Sequence, residues 1–255
     1  CLEQRIHGKH CIKIQLHEQA EALANPVLAF PAHLRTSLCN TGFALMLQQL
    51  TTMLEMQDRM NRKVHPDWIT QRFAWYRALW IECGELIEHY GYKWWKHQQP
   101  AWEHVRLEIV DIWHFGMSMR FDGSNTPATI AAAMLEELRA EPPRSLELRE
   151  AVEALAASAL AERRFAIAHF WSLLQAAGMN LDELFVAYVG KNVLNFFRQD
   201  HGYQQGTYRK SWQGREDNEH LYELLGTLDA GCPDYEAALY RALAQRYAET
   251  LAANS

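Results

Sequence analysis

Glycine and proline are scarce in this chain, with 13 and 8 among 255 residues. An all-β protein needs many turns, and turns draw heavily on both residues, so the scarcity argues against that class. Long disordered stretches are also disfavoured, because the chain has nine tryptophans and ten each of tyrosine and phenylalanine. The length is sufficient for a sizeable buried core.

Long apolar runs are absent as well. The most apolar stretch, 22–32, is shorter than the ~20 residues that a membrane span needs, and it contains two prolines. The first residues do not place a basic segment before an apolar one, so we expect no signal peptide. The five cysteines are odd in number and irregularly spaced, which disfavours a disulfide framework and a paired CxxC zinc site. We therefore expect reduced thiols, a cytoplasmic protein and no membrane partner.

Basic residues are fewer than acidic ones, and the formal net charge is −6. Surfaces that bind nucleic acid are usually basic, so we expect no nucleic-acid partner. The average conceals an uneven distribution. Residues 191–215 contain five basic residues and one acidic residue, a local charge of +4, so the rest of the chain sums to −10. This segment has the charge to bind an anion such as phosphate.

Apolar residues recur at helical spacing, and no segment alternates as a strand would. The pattern predicts an all-α helical bundle. We divide the chain into an N-terminal extension of unknown role at 1–40 and a single all-α domain at 41–255. The extension contains His7, His10 and Cys11, but no fourth metal ligand follows at a suitable spacing. Helices are expected over 42–64, 68–90, 101–121, 128–140, 145–177 and 181–199, the last capped by Asn180, and two more begin at Asn218 and Pro233.

Two short motifs pair carboxylates at helical spacing. Glu82 and Glu85 form one pair, Glu108 and Asp111 the other, and both pairs border apolar residues that point inward. Two such charges 4 Å apart repel by about 4 kcal/mol at an effective dielectric of 20. A hard divalent cation would relieve this repulsion, and oxygen ligands favour Mg²⁺ or Mn²⁺. The alternatives are solvated helix acids and a di-iron site, of which Asp111 and His114 supply only half the pattern.

Two amides lie in an apolar helical stripe. Gln57 falls in line with Met53, Met60 and Val64, and Asn61 follows four residues after it. An unpaired buried amide costs roughly 1–3 kcal/mol, so each amide needs partners. Amide groups offer the donors and acceptors required to read the polar edge of a pyrimidine. A structural hydrogen bond between helices is the alternative.

A polar stripe runs along the helix expected at 181–199, where Lys191, Asn195 and Arg198 are spaced i, i+4, i+7. The loop after it combines three glycines with basic and aromatic residues. Glycines let the backbone approach an anion, and Arg and Lys form charge-assisted bonds to phosphate. An ordinary surface loop would explain the glycines but not the aromatics among the cations, which are Tyr203, Tyr208 and Trp212.

Four segments together resemble a known family, the dimeric all-α dUTP diphosphatases of the all-α NTP pyrophosphohydrolase superfamily. They read MLEMQDRMN, WIECGELIEHYGYKWWK, RLEIVDIWHF and YVGKNVLNFFRQDHGYQQGTYRKSWQGREDN. The similarity is strong over 43–121 and 181–220, weak in the alanine-rich middle and absent at 1–40. It implies a homodimer that hydrolyses dUTP with Mg²⁺, releasing dUMP and pyrophosphate, and that accepts dUDP as a further substrate.

The resemblance also assigns residues. The four acids at 82, 85, 108 and 111 would bind two or more Mg²⁺ ions, with Mn²⁺ as a possible substitute. Our choice for the residue that deprotonates the attacking water is Glu82. Gln204 departs from the family, where a lysine often follows Gly-Tyr. The implied substrate contacts are Gln57 and Asn61 on the uracil side, Trp95 and His114 in family motifs, and Lys191, Asn195, Arg198, Tyr203, Lys210 and Asn218 around the sugar and phosphates.

Two alternative functions stay open at this point. One is a dCTP/dUTP or broader dNTP pyrophosphohydrolase, because a rotated amide can present either a donor or an acceptor to the base. The other is a non-enzymatic binding module on the same fold.

Overall fold

The computed structural model describes residues 32–228 and 235–252, with side chains from residue 42 onward. The earlier residues with His7, His10 and Cys11, and the helix start at Pro233, lie outside this range. The described part confirms the all-α bundle. Residues 49–255 group into one compact unit. The elements are α1 (Ala32–Val64), α2 (Trp75–Tyr90), α3 (Trp102–Ser118), α4 (Pro127–Ala140), α5 (Leu148–Glu162), α6 (Ile167–Ala176), α7 (Leu181–Asp200), β1 (Ser211–Trp212), β2 (Arg215–Glu216), α8 (Asp217–Leu225) and α9 (Tyr235–Ala252).

Two of the predicted helices are interrupted in the structure. In each case a residue with a left-handed backbone conformation lies where the helix was expected to continue. The helix predicted from residue 68 begins at Trp75, and turns fill the gap up to Arg72, whose φ is 49°. The helix predicted over 145–177 is two helices, because Arg163 ends α5 with φ 52°. Side chains other than glycine rarely adopt this conformation, so neither break was visible in the hydrophobic periodicity.

The capping residue of α7 agrees with the sequence prediction. The Asn180 side chain accepts a hydrogen bond from the Glu183 backbone, and the Glu183 side chain accepts one in return from the Asn180 backbone. The start of α8 differs, because its N-cap is Glu216 and Asn218 lies inside the first turn. The loop before it also contains the antiparallel pair β1–β2, which the sequence prediction missed.

Trp113 anchors the core around α3. Its ring is fully buried, stacks on Phe170 at 4.8 Å and meets Phe165 edge-on at 5.8 Å. Its indole N–H donates to the sulfur of Met53 at 3.3 Å, which ties α3 to α1. Helix α3 also packs on α2 and α7. Its acidic residues and His114 are therefore held between these helices.

A second apolar cluster supports the basic loop. Phe197 of α7, Trp212 of β1 and Leu243 of α9 are fully buried in it. The Trp212 indole N–H donates to the carbonyl of Arg209 at 2.8 Å, which fixes the loop against the cluster. Within the described residues, no helix combines the length and apolarity that a membrane span would require.

Candidate active site

A cavity of about 710 Å³ opens between α1, α2, α3 and α7 and is closed at one side by the loop before α8 and by α8 itself. It collects residues that are up to 162 positions apart in the sequence, from Gln57 to Glu219. The predicted site residues that line it are Gln57, Asn61, Glu82, Glu85, Glu108, Asp111, His114, Lys191, Asn195, Arg198, Tyr203, Lys210 and Asn218.

Trp95 is the predicted site residue that the structure does not bring to this cavity. It lies in the loop between α2 and α3, with 60% of its surface exposed. Its ring meets those of Tyr92 and Trp94 edge-on, at 6.0 and 5.5 Å. The described chain therefore gives Trp95 no contact with the other predicted residues.

Three carboxylates meet on the facing sides of α2 and α3. Glu82, Glu108 and Asp111 each place an oxygen within 4.8 Å of the others. Glu85 lines the cavity less than one helical turn from Glu82 but stands outside this trio and is exposed. On the far side of the trio, His89 approaches Glu108 with 3.4 Å between Nε2 and Oε1.

Burial and mutual repulsion disturb the ionisation of this trio. Burial first, and the nearby charge of Asp111 second, raise the pKa of both Glu82 and Glu108 well above the usual glutamate range. The protein alone thus favours keeping a proton in the cluster. An all-oxygen donor set with this excess of negative charge fits a hard divalent cation such as Mg²⁺ or Mn²⁺, which would restore full ionisation.

Lys191 and Arg198 already have acidic partners. The buried Lys191 ammonium donates to Asp111 Oδ2 at 2.8 Å and to Asn218 Oδ1 at 3.2 Å. Arg198 forms a bidentate pair with Asp217, through Nε to Oδ2 at 2.8 Å and Nη2 to Oδ1 at 2.7 Å. Its remaining guanidinium bonds reach Asn195 and Asn218, at 3.1 and 3.3 Å. The two cationic side chains of this stripe are therefore buried, and most of their N–H donors already have hydrogen-bond partners.

The sequence analysis missed Asp217. Its carboxylate is fully buried and accepts, besides Arg198, the hydroxyl of Tyr208 at 2.7 Å. Burial alone would raise the pKa of Asp217, but the hydrogen bond and charge of Arg198 outweigh burial and hold the pKa below the usual aspartate range. An acid in the first turn of a helix is common, so the sequence carried no signal of this role.

The two predicted amides belong to a buried network. Gln57 Nε2 donates to Asn61 Oδ1 at 3.0 Å and to Ser118 Oγ at 3.1 Å. Gln57 Oε1 accepts from Tyr188 at 3.1 Å and lies 2.7 Å from His114 Nδ1. All four hydrogen-bonding positions of Gln57 are therefore occupied within the protein. Ser118 and Tyr188, both buried, were not among the predicted residues.

His114 faces the cavity with one unused nitrogen. Burial lowers the pKa of its imidazole to about 4, so the ring is neutral near pH 7. Because Gln57 Oε1 can only accept, Nδ1 carries the proton and Nε2 presents a lone pair. Within the described part of the chain, Nε2 is buried and has no hydrogen-bond partner. A ligand with an N–H group would satisfy it.

Aromatic side chains form the wall beside the amides. Trp75 stacks over Phe115 with 6.1 Å between ring centroids and meets Phe73 edge-on at 5.4 Å. Trp68, also in the wall, is fixed by its indole N–H, which donates to Asp58 at 3.0 Å. The cavity thus has an aromatic end with amides and a neutral imidazole, and a charged end with the carboxylates, Lys191 and Arg198.

The chain also matches a known protein family. The sequence model of a family described as dUTPase matches residues 49–203, which is more than half of the chain. The matched range includes the four predicted acids, the amide pair, His114 and Arg198. No curated protein gives a match. The chain therefore belongs to the dUTPase family, and its activity is the hydrolysis of dUTP to dUMP by a dUTP diphosphatase.

Proposed function

We propose that dUTP occupies the cavity with its base at the aromatic end and its phosphates at the charged end, and that Mg²⁺ is held by Glu82, Glu108 and Asp111, with Glu85 as a further ligand. The observation that carries the proposal is the convergence of three carboxylates within 4.8 Å, at the same end of the cavity as Lys191. We propose two or more Mg²⁺ ions, with Mn²⁺ as a substitute.

Glu82 is the proposed catalytic base. Its carboxylate lies in the cavity beside Glu108 and Asp111, and a bound cation would keep it ionised and therefore able to accept a proton. The proton comes from the attacking water, whose oxygen forms a new bond to phosphorus while the α–β anhydride bond breaks and pyrophosphate leaves. When bound, Mg²⁺ supplies the neutralisation of charge on the phosphate oxygens and on the leaving pyrophosphate.

A few remaining donors point to the phosphate contacts. Lys191 has three N–H bonds and uses two of them, and Arg198 has five and uses four. Asn218 accepts from both cations through Oδ1, so its NH₂ group is oriented away from them. We propose that these groups, with Asn195, bind sugar and phosphate oxygens. Tyr203 and Lys210, which are exposed at the rim, would contact the outer phosphates.

The base edge fits uracil better than cytosine. The lone pair on His114 Nε2 matches the N3–H of uracil, whereas N3 of cytosine also carries a lone pair and would leave two acceptors facing each other. Asn61 uses one amide hydrogen on Ser118 and one lone pair on Gln57. Its second hydrogen is the proposed donor to a uracil carbonyl. This disfavours the dCTP/dUTP alternative.

The assembly and substrate range follow from the resemblance described above. We propose a homodimer, with dUDP as a second substrate, no nucleic-acid partner and a cytoplasmic location. Light scattering at micromolar concentration tests the dimer, since a single chain has a mass of 29.5 kDa.

The decisive experiment measures pyrophosphate release from dUTP, dCTP and dTTP, each with and without Mg²⁺. We expect release from dUTP in Mg²⁺ and little in its absence. Glu82→Gln should abolish turnover and leave the helical circular dichroism unchanged. Glu88→Gln is the matched control on the same helix, because Glu88 lies outside the cavity and pairs with Lys93 at 2.6 Å. Equal rates on dUTP and dCTP, or full activity of Glu82→Gln, would contradict the proposal.

A further inference from the structure

We propose that Ser118 determines the base specificity of this site, by fixing the direction of the Gln57 amide and, through it, which nitrogen of His114 carries the proton. The inference rests on the proposed function in one respect, the placement of the base edge against His114. Ser118 does not line the cavity. It is a positioning residue, since it acts through Gln57 and His114.

Ser118 acts as an acceptor toward α1. Its hydroxyl proton is committed to the carbonyl of His114, one turn earlier on α3, at 2.9 Å. The oxygen is then left with lone pairs only, and it receives the amide groups of Gln57 at 3.1 Å and Asn61 at 2.9 Å. The NH₂ groups of both amides must face Ser118. The carbonyl oxygen of Gln57 consequently points the other way, toward His114.

Tyr188 is compatible with either direction of the amide. The Asn192 side chain donates to the Tyr188 oxygen at 3.2 Å. In the observed direction the phenol proton is shared between the carbonyl of Met53 at 2.9 Å and Gln57 Oε1 at 3.1 Å. With a reversed Gln57 the proton would go to Met53 alone, and the second lone pair of the phenol oxygen would accept from the amide. Ser118, together with Asn61, therefore sets the direction of Gln57, and Tyr188 does not.

The direction of Gln57 decides the tautomer of His114. In the observed direction Gln57 Oε1 lies 2.7 Å from Nδ1, which must donate, so Nε2 is left with its lone pair and has no partner among the described residues. A reversed amide would donate to Nδ1, and the proton of the neutral ring would move to Nε2. Uracil N3–H requires the first state, and the lone pair on cytosine N3 requires the second. The cavity side chains are the same in both states, and only the direction of the hydrogen bonds differs.

The expected effect follows from the cost of a mispaired buried group. A buried polar group left without its partner changes an equilibrium by roughly 5- to 150-fold. Ser118→Ala removes the acceptor that orients both amides. We expect the ratio of kcat/KM for dUTP to that for dCTP to fall by a factor in this range. Because the change concerns binding of the base, KM should rise for dUTP and fall for dCTP while kcat changes little.

Steady-state kinetics on both nucleotides test the proposal with Ser118→Ala and two matched controls. Tyr188→Phe removes the other hydroxyl that contacts Gln57, but this hydroxyl suits either direction of the amide, so the ratio should stay near that of the parent. Ser172→Ala is the second control, since Ser172 is buried, donates to the carbonyl four residues earlier at 2.9 Å and accepts one backbone N–H, but lies outside the site. Its ratio should equal that of the parent. A parallel loss on both nucleotides in Ser118→Ala, an unchanged ratio in this variant, or an equal change of the ratio in Tyr188→Phe would overturn the proposal.

The tautomer can also be read without any activity. Long-range ¹H–¹⁵N correlation spectra of the parent protein distinguish the protonated imidazole nitrogen from the bare one, and the His114 signals are assigned by their loss in His114→Asn. We expect protonated Nδ1 and bare Nε2 in the parent. Protonated Nε2 would overturn the proposal even where dUTP is preferred. The expected tautomer together with equal rates on dUTP and dCTP would instead refute the proposed placement of the base.

Discussion

The buried pair of Arg198 and Asp217 allows a quantitative prediction about stability. The Asp217 side chain has no exposed surface and the Arg198 side chain has 11%. Asp217→Asn keeps the shape but leaves the guanidinium without its counter-charge and sets an NH₂ group against its donors. Removing one partner of a buried ion pair typically costs about 3–5 kcal/mol. For a domain of about 200 residues this corresponds to a melting temperature lower by roughly 6–20 °C.

Urea unfolding at pH 7 in the absence of Mg²⁺ measures this loss. Glu136→Gln serves as the control, because Glu136 and Arg139 form an exposed pair with 65% and 57% of their side chains accessible. That variant should lose about 0.5 kcal/mol or less. Arg198→Met combined with Asp217→Asn should be more stable than Asp217→Asn alone, since no unpaired charge remains buried. A loss below about 1 kcal/mol for Asp217→Asn, or a double variant that loses the sum of the single effects, would refute the reasoning.

The same pair predicts a pH dependence. The pKa of Asp217 is lower in the folded protein than in the unfolded chain, where aspartate titrates near pH 4. Its contribution to the free energy of unfolding is therefore complete above about pH 4 and is lost as the pH falls through the folded pKa. The stability difference between the parent and Asp217→Asn should be constant from about pH 5 to 8 and should shrink below about pH 4. A difference that grows on acidification would contradict this.

Two further predictions concern side-chain packing and the same ion pair. Gly116→Ala should destabilise the protein by roughly 1–3 kcal/mol, because the new Cβ would lie 2.5 Å from the buried ring of Phe165. In Gly84→Ala the new Cβ meets nothing within 4 Å, so this variant should be more stable than the parent by about 0.5–1 kcal/mol. Equal unfolding midpoints in urea for the two variants would contradict this. Tyr208→Phe removes the hydroxyl that donates to Asp217 and should lower the free energy of unfolding by roughly 1.5–3 kcal/mol. In the double variant with Asp217→Asn, the loss should be smaller than the sum of the two single losses. A loss equal to that sum in the same assay would disprove the coupling.

The parts of the fold that depend on periodicity were predictable from the sequence. Most helices occur where apolar spacing placed them, and the two carboxylate pairs were identified because an acid in an apolar stripe is unusual. The breaks at Arg72 and Arg163 were not predictable, because each follows from a left-handed backbone at a residue that rarely adopts it. The β1–β2 hairpin was missed because each strand has only two residues. Such a strand is too short to show alternation.

Within the site, the sequence identified residues but not the direction of their hydrogen bonds. Gln57 was predicted as a contact to the base, and the structure places it at the cavity with every hydrogen-bonding position already used. Spacing on one helix cannot reveal Ser118 or Tyr188, which come from α3 and α7. Trp95 illustrates the same limit in a loop, because a motif fixes its position in the chain but not where its side chain lies.

The local charge of +4 at 191–215 shows how a window of sequence can misrepresent a site. Lys191 is neutralised by Asp111, from a helix 80 residues earlier, and Arg198 by Asp217, just beyond the window. Two of the other three basic residues continue this pattern, since Lys210 lies 3.2 Å from Glu216 and Arg215 pairs with Glu219 and Glu223. With four of its five basic residues paired to acids, the segment offers a phosphate group chiefly its unused N–H donors and little net charge. The charge that attracts a triphosphate must then come chiefly from the divalent cations, whose binding would cancel the negative trio and leave the ammonium of Lys191 uncompensated. Triphosphate affinity should therefore depend on Mg²⁺ much more steeply than the basic sequence suggests.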